Sequence, residues 1–172
     1  MGPGVVAWPG ASSLDIDAGF GNQWVHMNSS SRHGEDSGRA SPVRTARWSI
    51  LLADDARDLQ ALIALWLEEA GHRVTRVATG REIIEHVTQT EFDLLVTDIL
   101  MPDGDGWDAI VTVQRLRPQM RSLAISGGAR EMPANAVLRA ARAAGALASL
   151  EKPFSRPDFF EAVTRVMATR PR

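Results

Sequence analysis

Downstream of Trp48, short apolar runs alternate with stretches in which apolar residues recur every three or four positions. Short runs of apolar and β-branched residues that end in turn residues are typical of buried strands, and the recurring spacing is typical of helices that bury one face. A regular alternation of strands and helices favours right-handed β-α-β connections, which build a mostly parallel sheet. The pattern therefore predicts an α/β fold for the part of the chain that follows Trp48.

Five strands and five helices are predicted. The strands are expected at about Ser49–Ala53, Arg73–Ala78, Leu94–Val96, Ser122–Ser126 and Ala146–Leu150. The helices are expected at about Asp58–Ala70, directly after Thr79, and at about Trp107–Leu116, Pro133–Ala144 and Pro157–Met167. The strand order 2-1-3-4-5 of flavodoxin-like proteins suits this alternation and makes strands one and three neighbours. The predicted fold class is thus α/β, a flavodoxin-like, doubly wound (βα)5 fold around a parallel five-stranded sheet.

The first predicted helix carries a clear apolar stripe. The stripe is formed by Leu59, Leu62, Ile63, Trp66 and Leu67. We expect all of these side chains to be buried against the sheet, and we expect Gly71 to end the helix.

Carboxylates follow two of the predicted strands. Asp98 lies at the end of strand three, and the pair Asp54 and Asp55 lies at the end of strand one. Ligands of such sheets bind beyond the carboxyl ends of the strands, so the three acids are expected to converge there. Close carboxylates raise one another's pKa unless a cation neutralises them, and Mg²⁺ prefers carboxylate oxygens. The sequence therefore predicts a Mg²⁺ site; the alternative is that each aspartate only begins a helix or a turn.

Two further strand ends carry side chains that suit phosphate chemistry. Ser126 ends strand four and is followed by Gly127, and Lys152 is followed by Pro153 after strand five. Alone, the serine would be interpreted as a turn residue and the lysine as a solvated loop residue. Together with the acids, in this order and at these intervals, they resemble the receiver domain of two-component response regulators, the CheY-like family. The resemblance covers about residues 47–168.

The resemblance implies a role for each of these positions. Asp98 would accept a phosphoryl group, and Ser126 and Lys152 would contact that group. The implied metal ligands are Asp54, acting mainly through water, Asp55, Asp98 and the backbone carbonyl of Leu100. The peptide bond between Lys152 and Pro153 is expected to be cis, as is usual in the family.

The same resemblance implies the partners. The phosphoryl group would come from a sensor histidine kinase or a histidine phosphotransfer protein, and the signal would pass through protein contacts to an unknown target. The chain would be an enzyme only in assisting its own phosphorylation and dephosphorylation. One position departs from the family, because Ser149 stands where an aromatic side chain usually rotates on phosphorylation. This departure keeps open the alternative of a phosphorylation-independent receiver-fold interaction module.

Composition limits the other possibilities. The 172 residues carry a formal net charge of −2, which gives no electrostatic case for binding nucleic acid or an anionic membrane. There is no cysteine, which fits a reducing cytoplasm, and no apolar run approaches the roughly 20 residues of a membrane span. His72 and His86 have no partner motif and are predicted to be ordinary surface or helix residues. We therefore expect a cytoplasmic protein without direct contact to DNA or membrane, and the resemblance implies that it is bacterial.

The two ends of the chain are interpreted from composition alone. Residues 1–46 are rich in Gly, Ser, Pro and Asn and show no sustained period, so they are predicted to be disordered. Met27 is a plausible alternative start of the protein. Residues 169–172 would form a tail too short for a C-terminal DNA-binding domain, which favours a stand-alone receiver.

Overall fold

The structure, a computed structural model, describes residues 47–101, 106–127 and 133–169. All of these residues belong to the compact unit Ala46–Arg172. The segment 1–46, predicted to be disordered, and residues 170–172 of the predicted tail lie outside the described residues. Within the described part, no helix has the length and apolarity that crossing a membrane requires.

Strands and helices alternate along the chain. The strands are β1 (Ser49–Ala53), β2 (Arg73–Val77), β3 (Leu94–Asp98), β4 (Arg121–Ser126) and β5 (Ala148–Glu151). The helices are α1 (Arg57–Glu69), α2 (Gly80–Gln89), α3 (Gly106–Leu116), α4 (Ala134–Ala143) and α5 (Arg156–Ala168). All strand pairs are parallel and the order is β2-β1-β3-β4-β5, which confirms the predicted flavodoxin-like (βα)5 fold. β5 begins later than predicted, because Gly145, with a φ of 122°, still turns the chain after α4.

Local hydrogen bonds define where two of the helices begin. The Thr79 hydroxyl caps α2, as predicted, by accepting a hydrogen bond from the Glu82 N–H at 3.2 Å. Ser155 caps α5 and forms a reciprocal capping box with Asp158. At the start of α1, by contrast, Ala56 occupies the N-cap position and provides no side-chain hydrogen bond. The start of α1, which follows the acid pair, therefore lacks the usual local anchor.

The core occupies the space between the central strands and the helices. β3 is buried along its whole length, and β1 is buried except for its first residue. One apolar cluster joins Leu51, Leu95 and Ala124 of the sheet to α2, α3 and α4. Phe159 of α5 is fully buried, with its ring centroid 6.0 Å from that of Trp66 in α1. Apolar burial is the main stabilising term in folding, so these contacts fix the positions of the strand ends from which the loops begin.

Two sequence predictions about burial are wrong. Leu62 belongs to the predicted buried stripe of α1, yet it is 43% exposed. The buried face of the helix runs through Ile63 and Leu67. Successive residues are about 100° apart around a helix, so Leu62, next to Ile63, points away from the sheet. His72 is buried rather than an ordinary surface residue, because the Trp48 indole stacks on its ring with centroids 4.7 Å apart.

Candidate functional site

Three carboxylates meet beyond the carboxyl ends of β1 and β3. One oxygen from each of Asp54, Asp55 and Asp98 lies within 4.8 Å of the others. The parallel register explains this proximity, because Ala53 at the end of β1 pairs with Thr97 of β3. Asp54 and Asp98 are buried, whereas Asp55 is exposed. The acids that were predicted to converge do lie together, and one of them faces solvent.

Both carboxylate oxygens of Asp54 accept hydrogen bonds. Oδ1 accepts one from the Ala56 N–H at 2.9 Å, and Oδ2 accepts one from the Lys152 ammonium at 2.8 Å. Burial raises the pKa of the Asp54 carboxyl, and the hydrogen bonds from Lys152 and Ala56 offset part of that effect. The hydrogen bonds from Lys152 and Ala56 therefore favour the ionised form of a carboxyl whose burial disfavours it.

Asp98 is held in the same manner at the end of β3. Its Oδ1 accepts a hydrogen bond from the Leu100 N–H at 3.0 Å, and its Oδ2 accepts one from Lys152 at 2.6 Å. The main-chain carbonyl of Asp98 accepts a further hydrogen bond from the Thr97 hydroxyl at 2.7 Å. These contacts fix the orientation of the Asp98 carboxylate before any ligand binds, which is the kind of positioning that accelerates a transfer reaction.

The Lys152 ammonium joins the two buried acids. It lies 2.8 Å from Asp54 Oδ2 and 2.6 Å from Asp98 Oδ2, and the Lys152 main-chain N–H donates to the Ser126 carbonyl at 3.0 Å. Burial by itself would lower the pKa of this amine, but the hydrogen bonds to the two carboxylates outweigh burial and raise it. Lys152 is therefore charged at neutral pH. The peptide bond that joins it to Pro153 is cis, as predicted.

Lys152 is also the only lysine in the chain. Of the 19 Lys and Arg residues, all except Lys152 are arginines. Arginine presents a rigid planar fork, whereas a lysine ammonium is a compact charge that can direct its three N–H donors at different acceptors. The use of lysine at this single position is a sequence signal for the site that a motif search alone does not provide.

The remaining predicted site residues lie at the same edge of the sheet. Ser126 is fully buried at the end of β4, where the preceding residue, Ile125, pairs with Asp98. Leu100 contributes its N–H to Asp98, while metal ligation by its carbonyl stays a prediction. Ser149 lies partly buried in β5, so no aromatic ring is available at that position.

Sequence reasoning assigns no role to Gly106, yet the geometry at Asp98 depends on it. A Cβ atom at Gly106 would overlap the main-chain carbonyl oxygen of Asp98 and lie 3.0 Å from the Ile99 Cα. The Gly106 N–H donates to the Ile99 carbonyl at 3.1 Å, so α3 begins directly against the end of β3. A Cβ at Gly127, in contrast, would meet its nearest neighbour at an ordinary 3.6 Å. A glycine just before a helix indicates a turn, but it does not reveal such a close approach.

Gln60 is a second residue that sequence reasoning misses. Its side-chain amide donates to the main-chain carbonyls of Asp54 and Val77, at the ends of two strands. Glutamine is common on helices, and nothing in the neighbouring residues distinguishes this one.

The cluster has both the ligands and the charge of a divalent-cation site. Three carboxylates against one ammonium leave two negative charges in excess. Carboxylate oxygens are hard ligands that suit Mg²⁺, and Mg²⁺ usually keeps several water molecules and therefore needs an open side. Exposed Asp55 lies on such an open side. The residues present therefore fit Mg²⁺.

A buried strand-end aspartate, an acid pair on the neighbouring strand and a lysine between them define a receiver-type site on this (βα)5 sheet. The family model described as "Response regulator receiver domain" matches residues 50–164. The chain belongs to that family.

Individual relatives agree with this membership. The chemotaxis protein CheY of Thermotoga maritima is 30% identical over 118 residues, which cover 68% of this chain and 95% of that protein. The DNA-binding transcriptional regulator NtrC of Azospirillum brasilense is 31% identical over 121 residues, which cover 69% of this chain. The match covers 24% of NtrC, so the chain spans about a quarter of that relative's length.

One similar solved receiver structure is described with a metal ion. The receiver domain of a sensor histidine kinase of Pseudomonas aeruginosa PAO1, described with a magnesium ion coordinated in its active site cleft, is similar with a TM-score of 0.63. It is 25% identical and covers 72% of this chain and 100% of its own. The similarity extends over the whole of that receiver domain.

Proposed function

We propose that the chain accepts a phosphoryl group on Asp98 in a two-component phosphorelay, with Mg²⁺ bound at the acid cluster. The observation that carries this proposal is the Lys152 ammonium, held 2.6 Å from Asp98 and 2.8 Å from Asp54. A charged donor in this place can contact a phosphoryl oxygen as soon as Asp98 carries the group. The proposed phosphodonor is a sensor histidine kinase or a histidine phosphotransfer protein.

The proposed transfer needs positioning more than covalent chemistry. An oxygen of the Asp98 carboxylate forms a bond to phosphorus while the bond from phosphorus to the donor's histidine nitrogen breaks. The nitrogen keeps the electron pair, and Asp98 becomes an acyl phosphate. Lys152 and the Ser126 hydroxyl would contact the phosphoryl oxygens, and bound Mg²⁺ would offset part of their charge.

The chain would act as an enzyme only on itself. In the proposed dephosphorylation, a water oxygen forms a bond to phosphorus, and the Asp98 carboxylate leaves with the electron pair of the broken bond. Phosphorylation brings nearly two negative charges to a largely buried point, and neighbouring elements have to respond to them. We propose that this response alters contacts with other proteins in the cytoplasm, and a chain without cysteine, which forms no disulfide, fits that reducing compartment.

The interaction-module alternative is less well supported. It draws its support from Ser149, which provides no ring for a rotating switch. It assigns no role to three converging carboxylates or to the only lysine of the chain, which lies between two of them.

Intact mass after incubation with acetyl phosphate tests the proposal. We expect the wild type to gain a phosphoryl adduct that requires Mg²⁺, and we expect Asp98→Ala to gain none. The matched control is Asp108→Ala, which removes an exposed carboxylate from the first turn of α3 and should be labelled like the wild type. An adduct on folded Asp98→Ala would contradict the assigned nucleophile. If a folded, Mg²⁺-bound wild type took up neither phosphoryl nor beryllofluoride, the interaction module would be favoured instead.

A further inference from the structure

The loop between β1 and α1 presents two of the three acids, yet it lacks a capping side chain. Asp54 and Asp55 lie directly before Ala56, which is the N-cap residue of α1 and provides no side-chain hydrogen bond. The first N–H groups of a helix normally find partners in a capping side chain, and that contact also fixes how the chain enters the helix. In this loop, a side chain from within α1 provides the constraint instead.

Gln60, one turn into α1, reaches back to the ends of two strands. Its Nε2 donates to the main-chain carbonyl of Asp54 at 3.0 Å and to that of Val77 at 2.6 Å. Val77 is the last residue of β2, and its carbonyl also accepts the Asp54 N–H at 3.3 Å. One amide group therefore ties α1 to the point where the chain leaves β1 and to the end of β2.

The Gln60 hydrogen bond completes the set of contacts around Asp54. The Asp54 N–H donates to a strand carbonyl and its own carbonyl accepts from Gln60. The two carboxylate oxygens accept from the Ala56 N–H and the Lys152 ammonium. Asp54 cannot turn without breaking one of these bonds. Asp55 is one peptide bond further on, so its position relative to the other acids depends on the same anchor.

We propose that Gln60 is a positioning residue for the metal site, acting through the main chain of Asp54 to hold both acids of the loop in place. In this role Gln60 contacts neither the ion nor the phosphoryl group. Mg²⁺ demands near-ideal octahedral geometry, so its binding is sensitive to small shifts of a ligating loop. The inference rests on the proposed function, because it takes the acid cluster to bind Mg²⁺.

Calorimetric titration with Mg²⁺ and thermal unfolding of three variants test the role. Gln60→Met keeps the length of the side chain without its donor, and it should weaken Mg²⁺ binding about tenfold, the scale of outer-shell substitutions at metal sites. Its labelling by acetyl phosphate should therefore reach the half-maximal rate only at a higher Mg²⁺ concentration than labelling of the wild type does. Gln60→Arg places Nε at the same number of bonds from the backbone as the glutamine Nε2. It should recover most of the affinity even though its charge opposes cation binding.

The matched control is Gln114→Met. It removes a glutamine of α3 whose Nε2 donates to the Met120 carbonyl at 3.5 Å, and it should bind Mg²⁺ like the wild type. Wild-type affinity in Gln60→Met would overturn the proposal, even if thermal stability fell, because Gln60 would then only support the fold. Equally weak binding by Gln60→Arg and Gln60→Met would also overturn it. A wild type that binds no Mg²⁺ would overturn the proposed function itself, and the positioning role with it.

Discussion

Polar and charged side chains are arranged differently at the amino ends and at the carboxyl ends of the parallel strands. At the amino ends of the strands, polar side chains form hydrogen bonds with main-chain groups: Asp93 Oδ2 accepts the Ser49 N–H at 2.7 Å, and Arg117 Nε donates to the Val87 carbonyl at 3.0 Å. At the carboxyl ends, three carboxylates lie within 4.8 Å of one another, and the Lys152 ammonium contacts two of them. Among the described residues, the amino ends hold no comparable cluster of acids, whereas the carboxyl ends keep negative charge in excess, and such charge typically marks the functional end of a fold.

The contrast predicts opposite responses to substitution. A hydrogen bond between well-matched groups adds about 1 kcal/mol to the free energy of unfolding, so changes at the amino ends should mainly alter stability. Like charges repel until a cation joins them, so changes to the charged side chains at the carboxyl ends should mainly alter ligand binding and phosphorylation. The predictions that follow test this separation.

Lys152→Met should have the largest effect. We expect the rate at which acetyl phosphate labels Asp98 to fall on the order of a hundredfold, the usual result of removing one group that stabilises transferring charge. Mg²⁺ affinity should not fall with it, because the substitution removes a positive charge that lies 2.8 Å from Asp54 and 2.6 Å from Asp98 and would repel the ion. Labelling rates at saturating Mg²⁺ and a calorimetric Mg²⁺ titration measure the two effects. Equal losses in both would contradict the assigned role of the lysine.

Two glycines beside the site form a matched pair for the next prediction. Gly106→Ala places a Cβ onto the Asp98 carbonyl oxygen, and we expect the free energy of unfolding to fall by about 2 kcal/mol, the scale of an overpacked site. Labelling of Asp98 should fall as well, because the strand end has to move. Gly127→Ala meets only ordinary contacts and should change neither quantity appreciably. Urea denaturation and intact mass compare the pair, and similar behaviour of the two variants would show that α3 does not press on β3.

At the amino ends, Asp93→Ala should lower stability and leave the chemistry intact. The variant removes the acceptor of the Ser49 N–H, and we expect a loss of about 1 kcal/mol in the free energy of unfolding. Glu91→Ala, which removes a nearby exposed acid, controls for the loss of negative charge. Urea denaturation measures stability, and Mg²⁺-dependent labelling should match the wild type. A labelling defect in Asp93→Ala would break the separation between the two ends.

The sequence predicts features that depend on local patterns, and it does not predict features that depend on distances between remote segments. The alternation of strands and helices was predictable from the apolar pattern, and the strand order, which brings the acids together at Asp98, was predictable from the resemblance to the receiver family. The contributions of Gln60 and Gly106 were not, because each depends on the distance between segments that are remote along the chain. The same reason explains the errors at Leu62 and His72, whose burial depends on which neighbours cover them.

The smallest predicted effect is a change in the pH dependence of the free energy of unfolding, caused by substitution of His72, which lies just before β2. Its Nδ1 accepts a hydrogen bond from the main-chain N–H of Trp48 at 3.4 Å, and its ring stacks on the Trp48 indole. Burial lowers the pKa of this imidazole below its usual value. The neutral ring is the form that suits the fold, because a proton on Nδ1 would face the Trp48 N–H.

The lowered pKa determines the sign of the pH dependence. The unfolded chain binds a proton at His72 more readily than the folded chain does, so the free energy of unfolding should fall as the pH drops below about 6.5. His72→Gln should flatten this decline between about pH 7 and pH 5, and Mg²⁺-dependent labelling at neutral pH should not change. His86→Gln leaves His72 in place and should retain the wild-type dependence. Urea denaturation at a series of pH values provides the comparison. An unchanged slope in His72→Gln would show that the buried ring takes up its proton as easily in the folded protein as in the unfolded chain.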